Sequence, residues 1–364
     1  MSEWRQHIRR YRAAFLVVVP IFVALVAFVT IEVTLRMFVP QDTVALEEMP
    51  AGIPDAEIGY VLRPNYRFGV RCPEYELYYS TNAQGFRSGS DFQDSVGTGT
   101  TRILVFGDSF TFGQGVAVDS IWLAITGTVL RGAGLDVEII NAGVQGYDTR
   151  SELLSMRRWL PRFRPDIVLF GFMPNDLFTN IPADLDTTGQ SDVRDVVGRG
   201  NHDRNLSFHI VTLAKRILMM SDRLYQALYR LTARYEYYTR PPTEHVRQQD
   251  NITRALLDSA SVVAQNAGAD FAVVSIPQLY QVLSVSRGKY DDGVDPVWID
   301  RDYAAHALEH RYRWIATLDT LVTNYRTRQN DLYFRLDGHL NERGHRVVGE
   351  YVARQIRALM PVKA

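Results

Sequence analysis

A serine, a histidine and an aspartate stand out for their chemistry. Ser109 ends the run Arg102-Ile103-Leu104-Val105-Phe106-Gly107-Asp108-Ser109, in which apolar residues lead straight into a tight turn. Asp337 and His339 lie far downstream in Leu336-Asp337-Gly338-His339-Leu340-Asn341. A serine hydroxyl is a weak nucleophile until a base takes its proton. His339 is suited to that task near neutral pH. Asp337 can fix the imidazole tautomer and stabilise the imidazolium that forms. The amide N–H groups of Ser109 and Gly143 and the side-chain amide of Asn175 can donate to a tetrahedral oxyanion, each such donor lowering a barrier by on the order of 3 kcal/mol. Together these residues offer acyl transfer through an acyl-serine.

Residues so far apart can meet only if the fold brings them together. Short apolar runs with β-branched residues predict strands at 102–106, Val137–Asn141, Ile167–Phe172, Phe271–Ile276 and Leu332–Phe334. Between them the pattern predicts helices. One runs from an Asp119 or Ser120 cap to about Arg131, and a second from Asp148 and Thr149 to before Pro165. The others span Thr243–Ala267, about Asp300 to Arg328, and an Asn341 cap to about Leu359, with a polar loop from Pro277 to Asp300. Strands alternating with helices argue for a parallel α/β sheet with right-handed crossovers. Ser109, Gly143, Asn175 and the Asp337/His339 pair then all follow strand carboxyl ends, the edge where open α/β sheets bind ligands.

Four blocks in this order resemble the SGNH hydrolases, also called the GDSL family. Gly107-Asp108-Ser109-Phe110 matches the first block, with Phe where Leu is common. Asn141-Ala142-Gly143 with Gly146 matches the second, and Asn175-Asp176 the third, with Met173 where a glycine is usual. In the fourth, Asp337 and His339 stand two apart where three is usual. That variant is similar to membrane-linked and periplasmic members, including those that O-acetylate alginate and other envelope polysaccharides. The resemblance covers about 101–176 and 244–359. It implies a flavodoxin-like three-layer fold with a roughly five-stranded parallel sheet, and acyl-ester or carbohydrate substrates. No cofactor and no metal are expected.

The rest of the chain bears on location and partners. Net charge is −1, which gives no global attraction to nucleic acid. Cys72 is the single cysteine, so no intramolecular disulfide can form. Ala13 to Ile31 carries no charge and as a helix would extend about 28 Å, close to a bilayer core. Arg5, Arg9, Arg10 and Arg12 precede it against one acid, Glu3. The positive-inside rule then predicts a single-pass inner-membrane protein with a cytoplasmic N-terminus and a periplasmic or extracellular main domain. A cleaved signal peptide is the competing reading. The expected organisation is a basic tail at 1–12, an anchor at 13–38, a loop-rich aromatic lead-in at 39–100 packed on the main domain, and a hydrolase-like domain at 101–360 with a helical insertion at 178–243.

Within the insertion, Leu206, Ile210, Leu213, Ile217, Met220, Leu224, Ala227 and Leu231 recur at steps of four and three. They predict one long helix with an apolar stripe, which packs on the domain or meets a membrane-protein partner or second copy. Asp176 reads as a turn residue and His345 as a packing histidine. Gly113-Gln114-Gly115 lacks the third glycine and the ribose-binding acid of a dinucleotide fingerprint. Asn205-Leu206-Ser207 and Asn251-Ile252-Thr253 fit a glycan-acceptor pattern that chance supplies readily. Two functions follow: an anchored serine esterase or O-acyltransferase, or a non-catalytic subunit that keeps the fold as a component of a membrane assembly.

Overall fold

The computed structural model describes residues 2–40, 52–180, 208–328, 331–358 and 360. The Asn205-Leu206-Ser207 pattern and the polar stretch 181–205 lie outside them. Helix α1 spans Ser2–Phe38. Its segment Phe15–Phe38 is long and apolar enough to cross a membrane, with a mean hydropathy of 2.7. Two antiparallel hairpins follow, β1 (Gly52–Asp55) with β2 (Gly59–Leu62) and β3 (Arg67–Cys72) with β4 (Tyr75–Ser80).

The α/β unit begins with β5 (Thr101–Gly107), α2 (Ser109–Phe112) and α3 (Trp122–Gly132). Next come β6 (Val137–Asn141), α4 (Thr149–Phe163), β7 (Ile167–Phe172) and α5 (Asp176–Thr179). The insertion contributes α6 (His209–Met220) and α7 (Asp222–Tyr229). The chain then forms α8 (Glu244–Asn266), β8 (Asp270–Ser275), α9 (Leu279–Arg287), α10 (Trp298–Glu309), β9 (Arg313–Ala316), α11 (Leu318–Arg328) and α12 (Glu342–Arg357). The five strands β5 to β9 pair in the order β6-β5-β7-β8-β9, all parallel. This is the flavodoxin-like order, with its switch point between β6 and β7 at β5.

Alternation along β5 divides the core into two faces. Leu104 and Phe106 pack toward α4, α8 and α10. Ile103 and Val105 pack toward α3, α9, α11 and α12. A third cluster joins Phe68, Val70 and Tyr79 of the second hairpin to Phe112 beside Ser109 and to Val144 and Tyr147. Arg87 is buried, and among the described residues no acid pairs with it. Its guanidinium donates to the carbonyls of Phe112, Gly113 and Val116 at 2.9, 2.5 and 2.5 Å. The segment before residue 100 therefore shapes the loop that follows the serine.

Several expectations need correction. The predicted helix over 300–328 is two helices with β9 between them. Arg311 takes a left-handed φ of 62°, which ends the first helix and turns the chain onto the sheet edge. Leu332–Phe334 is not a sheet strand; Tyr333 forms only an isolated bridge to Leu340. The loop after Pro277 contains α9, started by the reciprocal Gln278/Gln281 cap. Neither Asp119 nor Ser120 caps α3, because both lie in a 3-10 turn before it. Among the described residues the apolar stripe is not one helix: Ser221 is extended and its hydroxyl caps α7.

The serine turn requires glycine on two adjacent strands. A Cβ on Gly107 would stand 2.1 Å from Thr111 Oγ1, and one on Gly171 2.0 Å from the same atom. Both strand ends thus make room for the first turn of α2. Gly171→Ala is expected to destabilise the protein by about 1–3 kcal/mol, the usual cost of overpacking, measured by chemical denaturation.

Candidate active site

The three residues expected to act together are in contact. His339 Nε2 is 2.7 Å from Ser109 Oγ, and His339 Nδ1 is 2.6 Å from Asp337 Oδ2. The Phe110 ring packs on the imidazole at 4.7 Å between centroids. Gly338, at φ 89°, supplies the left-handed turn that lets residues two apart in sequence face each other.

Ser109 is placed by Asp108, the N-cap of α2. The Asp108 carboxylate accepts from Phe110 N at 2.8 Å and from Asn175 Nδ2 at 3.2 Å. Burial raises the Asp108 carboxyl pKa, against the lowering effect of those bonds and of His339. One N–H of the Asn175 amide is used on Asp108. Asn175 also lines the cavity in front of Ser109, so its second N–H can serve a ligand. The Ser109 N–H stands in the first turn of α2, ahead of any intrahelical acceptor.

Gly143 is placed differently from expectation. Its N–H donates to Asn141 Oδ1 at 3.0 Å, and Gly143 is not among the residues lining the cavity. The asparagine closes a local turn and takes the proton that an oxyanion would have needed. What the structure shows glycine doing here is close approach, since a Cβ would lie 2.7 Å from Phe112 N.

Residues that motif reasoning missed come from the lead-in, the loops after β5 and β6, and the insertion. Glu74, between β3 and β4, accepts three successive backbone N–H groups of the histidine loop. Arg335 N is 2.7 Å from its carboxylate, and Leu336 N and Asp337 N are each 2.9 Å away. Gln114 Nε2 donates to Asp337 Oδ1 at 3.3 Å and is held by Gln145. Burial pushes the Asp337 carboxyl up, but its bonds to His339, Tyr75 and Gln114 outweigh burial and hold it below the ordinary range. Asp337 therefore stays ionised beside the imidazole. Tyr225, Tyr229 and Arg234 from the insertion join Ser109, Asn175 and His339 around a cavity of roughly 260 Å³. No local signal marks Glu74 in the sequence, whereas Tyr225, Tyr229, Tyr235, Tyr237 and Tyr238 crowd the end of the insertion.

His345 is buried and accepts from Trp122 N at 3.2 Å, a packing role. Asp176 is fully buried and takes a hydrogen bond from Thr149 at 3.2 Å. Among the described residues one group could ligate a metal, Asp258 with His306 and His310. None of the three lines the Ser109 cavity.

A doubly wound parallel sheet that joins a serine, an imidazole and a carboxylate at its carboxyl edge, with the four blocks in order, resembles the arrangement of the SGNH/GDSL hydrolases. No protein-family model matches it. It is 29% identical over 90 residues to an arylesterase of Vibrio mimicus, and that match spans 25% of this chain and 45% of the relative. Similar solved structures include TesA, with a TM-score of 0.42, 16% identity and coverage of 71% of this chain and 100% of the other. A G-D-S-L family lipolytic protein from Veillonella parvula gives 0.41, 16%, 71% and 100%.

Beneath the site lies a group of buried acids. Among the described residues neither carboxylate oxygen of Glu152 has a hydrogen-bond partner, nor does Asp176 Oδ1. Burial, then the charges of Asp176, Asp108 and Asp148, raise Glu152 well above the ordinary carboxyl range. Burial, then Asp108 and Asp148, does the same to Asp176. A raised native pKa means the folded state holds protons that the unfolded state releases. This contribution to stability is complete below the ordinary carboxyl range and is lost as pH rises through the native values. The melting temperature should be higher near about pH 5.5 than near about pH 8. Glu152→Gln should raise it at the higher pH and flatten the dependence, by differential scanning fluorimetry.

Proposed function

We propose that this protein is a membrane-anchored, extracytoplasmic serine esterase or O-acyltransferase acting on short acyl esters, with O-acetyl groups on envelope carbohydrate as the substrate class. The observation that carries the reading is the unbroken hydrogen-bonded chain Ser109–His339–Asp337 at the mouth of a small cavity. Ser109 Oγ attacks the ester carbonyl while its proton passes to His339 Nε2, and Asp337 stabilises the imidazolium. The Ser109 N–H and the free N–H of Asn175 receive the negative charge that develops on the carbonyl oxygen. Collapse expels the alcohol, which takes the proton from His339, and leaves an acyl-Ser109. Water or a sugar hydroxyl then attacks, giving its proton to His339, and collapse breaks the acyl bond to Ser109 Oγ, which takes that proton back. Hydrolysis and transfer share every protein group and differ only in the acceptor.

The size of the cavity supports a short acyl group, since roughly 260 Å³ falls below the usual range for drug-sized ligands. The helix Phe15–Phe38 and the basic residues before it support the anchor and its orientation. The carbohydrate class rests on the Asp-x-His spacing shared with envelope O-acetylation proteins.

Purified full-length protein in detergent should hydrolyse p-nitrophenyl acetate, and Ser109→Ala or His339→Ala should lower kcat by at least about 10³-fold. Native protein without turnover toward this ester and toward an acetylated glycan would support the non-catalytic subunit instead. Glu74→Ala strips three backbone donors of their acceptor and lets the histidine loop shift. It should lower kcat by about 10- to 100-fold at little changed KM, with Glu74→Gln intermediate because its amide oxygen still accepts.

A further inference from the structure

Helix α6, like α1, sits apart from the α/β core. None of its residues is buried, and its main neighbours are α1 and α7. Yet it is strongly apolar. Ile210, Val211, Leu213, Ala214, Ile217, Leu218 and Met220 fall within one half of the helical circumference, at 100° per residue, and His209, Thr212, Lys215, Arg216 and Met219 occupy the other. Val211, Ile217 and Met220 are 57%, 62% and 68% exposed. A soluble domain has no reason to leave such a face in water.

The joint to α1 says what covers it. Glu32 lies inside the apolar stretch Phe15–Phe38 and is itself only 7% exposed. Its carboxylate accepts the N–H groups of His209 and Ile210, each at 3.0 Å, which are the first donors of α6. Arg36 Nε neutralises it at 2.7 Å, and Phe28 meets Phe208 edge to face at 5.1 Å. From Phe15 to Glu32 the helix climbs about 26 Å, so a carboxylate at that height stands where the hydrocarbon gives way to headgroups. The start of α6 is therefore fixed at the membrane boundary.

We infer that α6 lies in the bilayer interface beside α1, with Val211, Ile217, Leu218 and Met220 in the acyl chains and Lys215 and Arg216 toward anionic headgroups. The occupant of this face is the lipid surface, because the tether to a membrane-spanning segment and the basic polar face both fit it. The inference rests on reading α1 as that span. Its consequence reaches the site: α6 passes at Ser221 into α7, which carries Tyr225 and Tyr229 to the Ser109 cavity. The cavity mouth is thereby held close to the membrane surface.

The test uses the full chain in vesicles of phosphatidylethanolamine and phosphatidylglycerol. Single cysteines are placed in a Cys72→Ser background by Phe22→Cys, Thr212→Cys, Ile217→Cys, Met220→Cys and Val262→Cys. Each is labelled with bimane and challenged with spin-labelled lipid. Position 22 reports the span, and exposed Val262 reports the water-facing domain. The expected result is strong quenching at 22, 217 and 220, at least threefold that at 212, and none at 262. Quenching at 22 with 217 and 220 behaving like 262 would overturn the inference while the anchor stands. Absence of quenching at 22 as well would overturn the anchor, and this inference with it. Labels at 217 and 220 shielded from water but not quenched by lipid would assign the face to a second copy or another protein, which also overturns it.

Discussion

The imidazole of His339 bonds to Ser109, 230 residues away in the chain, at 2.7 Å, and on its other side to Asp337 at 2.6 Å. The first bond spans most of the chain, and the second, though local, depends on the backbone turn between its partners. The first needs the carboxyl end of β5 and the loop before α12 to share one edge of the molecule, which the doubly wound sheet enforces. The second needs a left-handed glycine between aspartate and histidine. Each of the other features around the site either holds this bridge in place or keeps its charges separated.

Support for the bridge comes from outside the α/β unit. The Glu74 carboxylate holds three consecutive backbone N–H groups of the loop that carries Asp337, a charge-assisted contact stronger than neutral hydrogen bonds. Arg87 does the converse, giving its buried cation to three carbonyls after the serine. A carboxylate on one loop and a guanidinium on the other tie both halves of the bridge to residues 52–92. The hairpins are thus part of the site's framework. Below it, burial neutralises the acids around Glu152 and Asp176, while Asp337, held by several donors, keeps its charge. Carboxyls of the same chemical type hold different protonation states because burial wins at one place and hydrogen bonding at the other.

Much of this was legible from residue order. The four strands β5 to β8 are apolar, partly β-branched runs ending in turn residues, and such runs read as buried parallel strands. The serine was legible because its block follows β5, whereas the aspartate and histidine were legible from their block alone, since the run before them forms only an isolated bridge. β9 was not, because Arg313-Trp314-Ile315-Ala316 is four residues long and lies between two helical stretches. Gly143 shows the limit of motif reasoning. Its place in the second block suggests a donor, but whether its N–H is free depends on which way Asn141 turns. Glu74 was invisible for a related reason: one glutamate in a hairpin turn acquires its role only when the fold carries a distant loop to it. The apolar stripe of the insertion was seen, but not its interruption at Ser221, which separates the arm tied to α1 from the arm that walls the cavity.

The central claim is that the bridge makes one serine among many nucleophilic. Reaction of the intact protein with a fluorophosphonate, followed by peptide mass spectrometry, tests it most directly. The account predicts a single adduct, on Ser109, that is abolished by His339→Ala while the variant keeps its native melting transition. Unlabelled Ser109 in folded native protein, or labelling that persists without the imidazole, would contradict it.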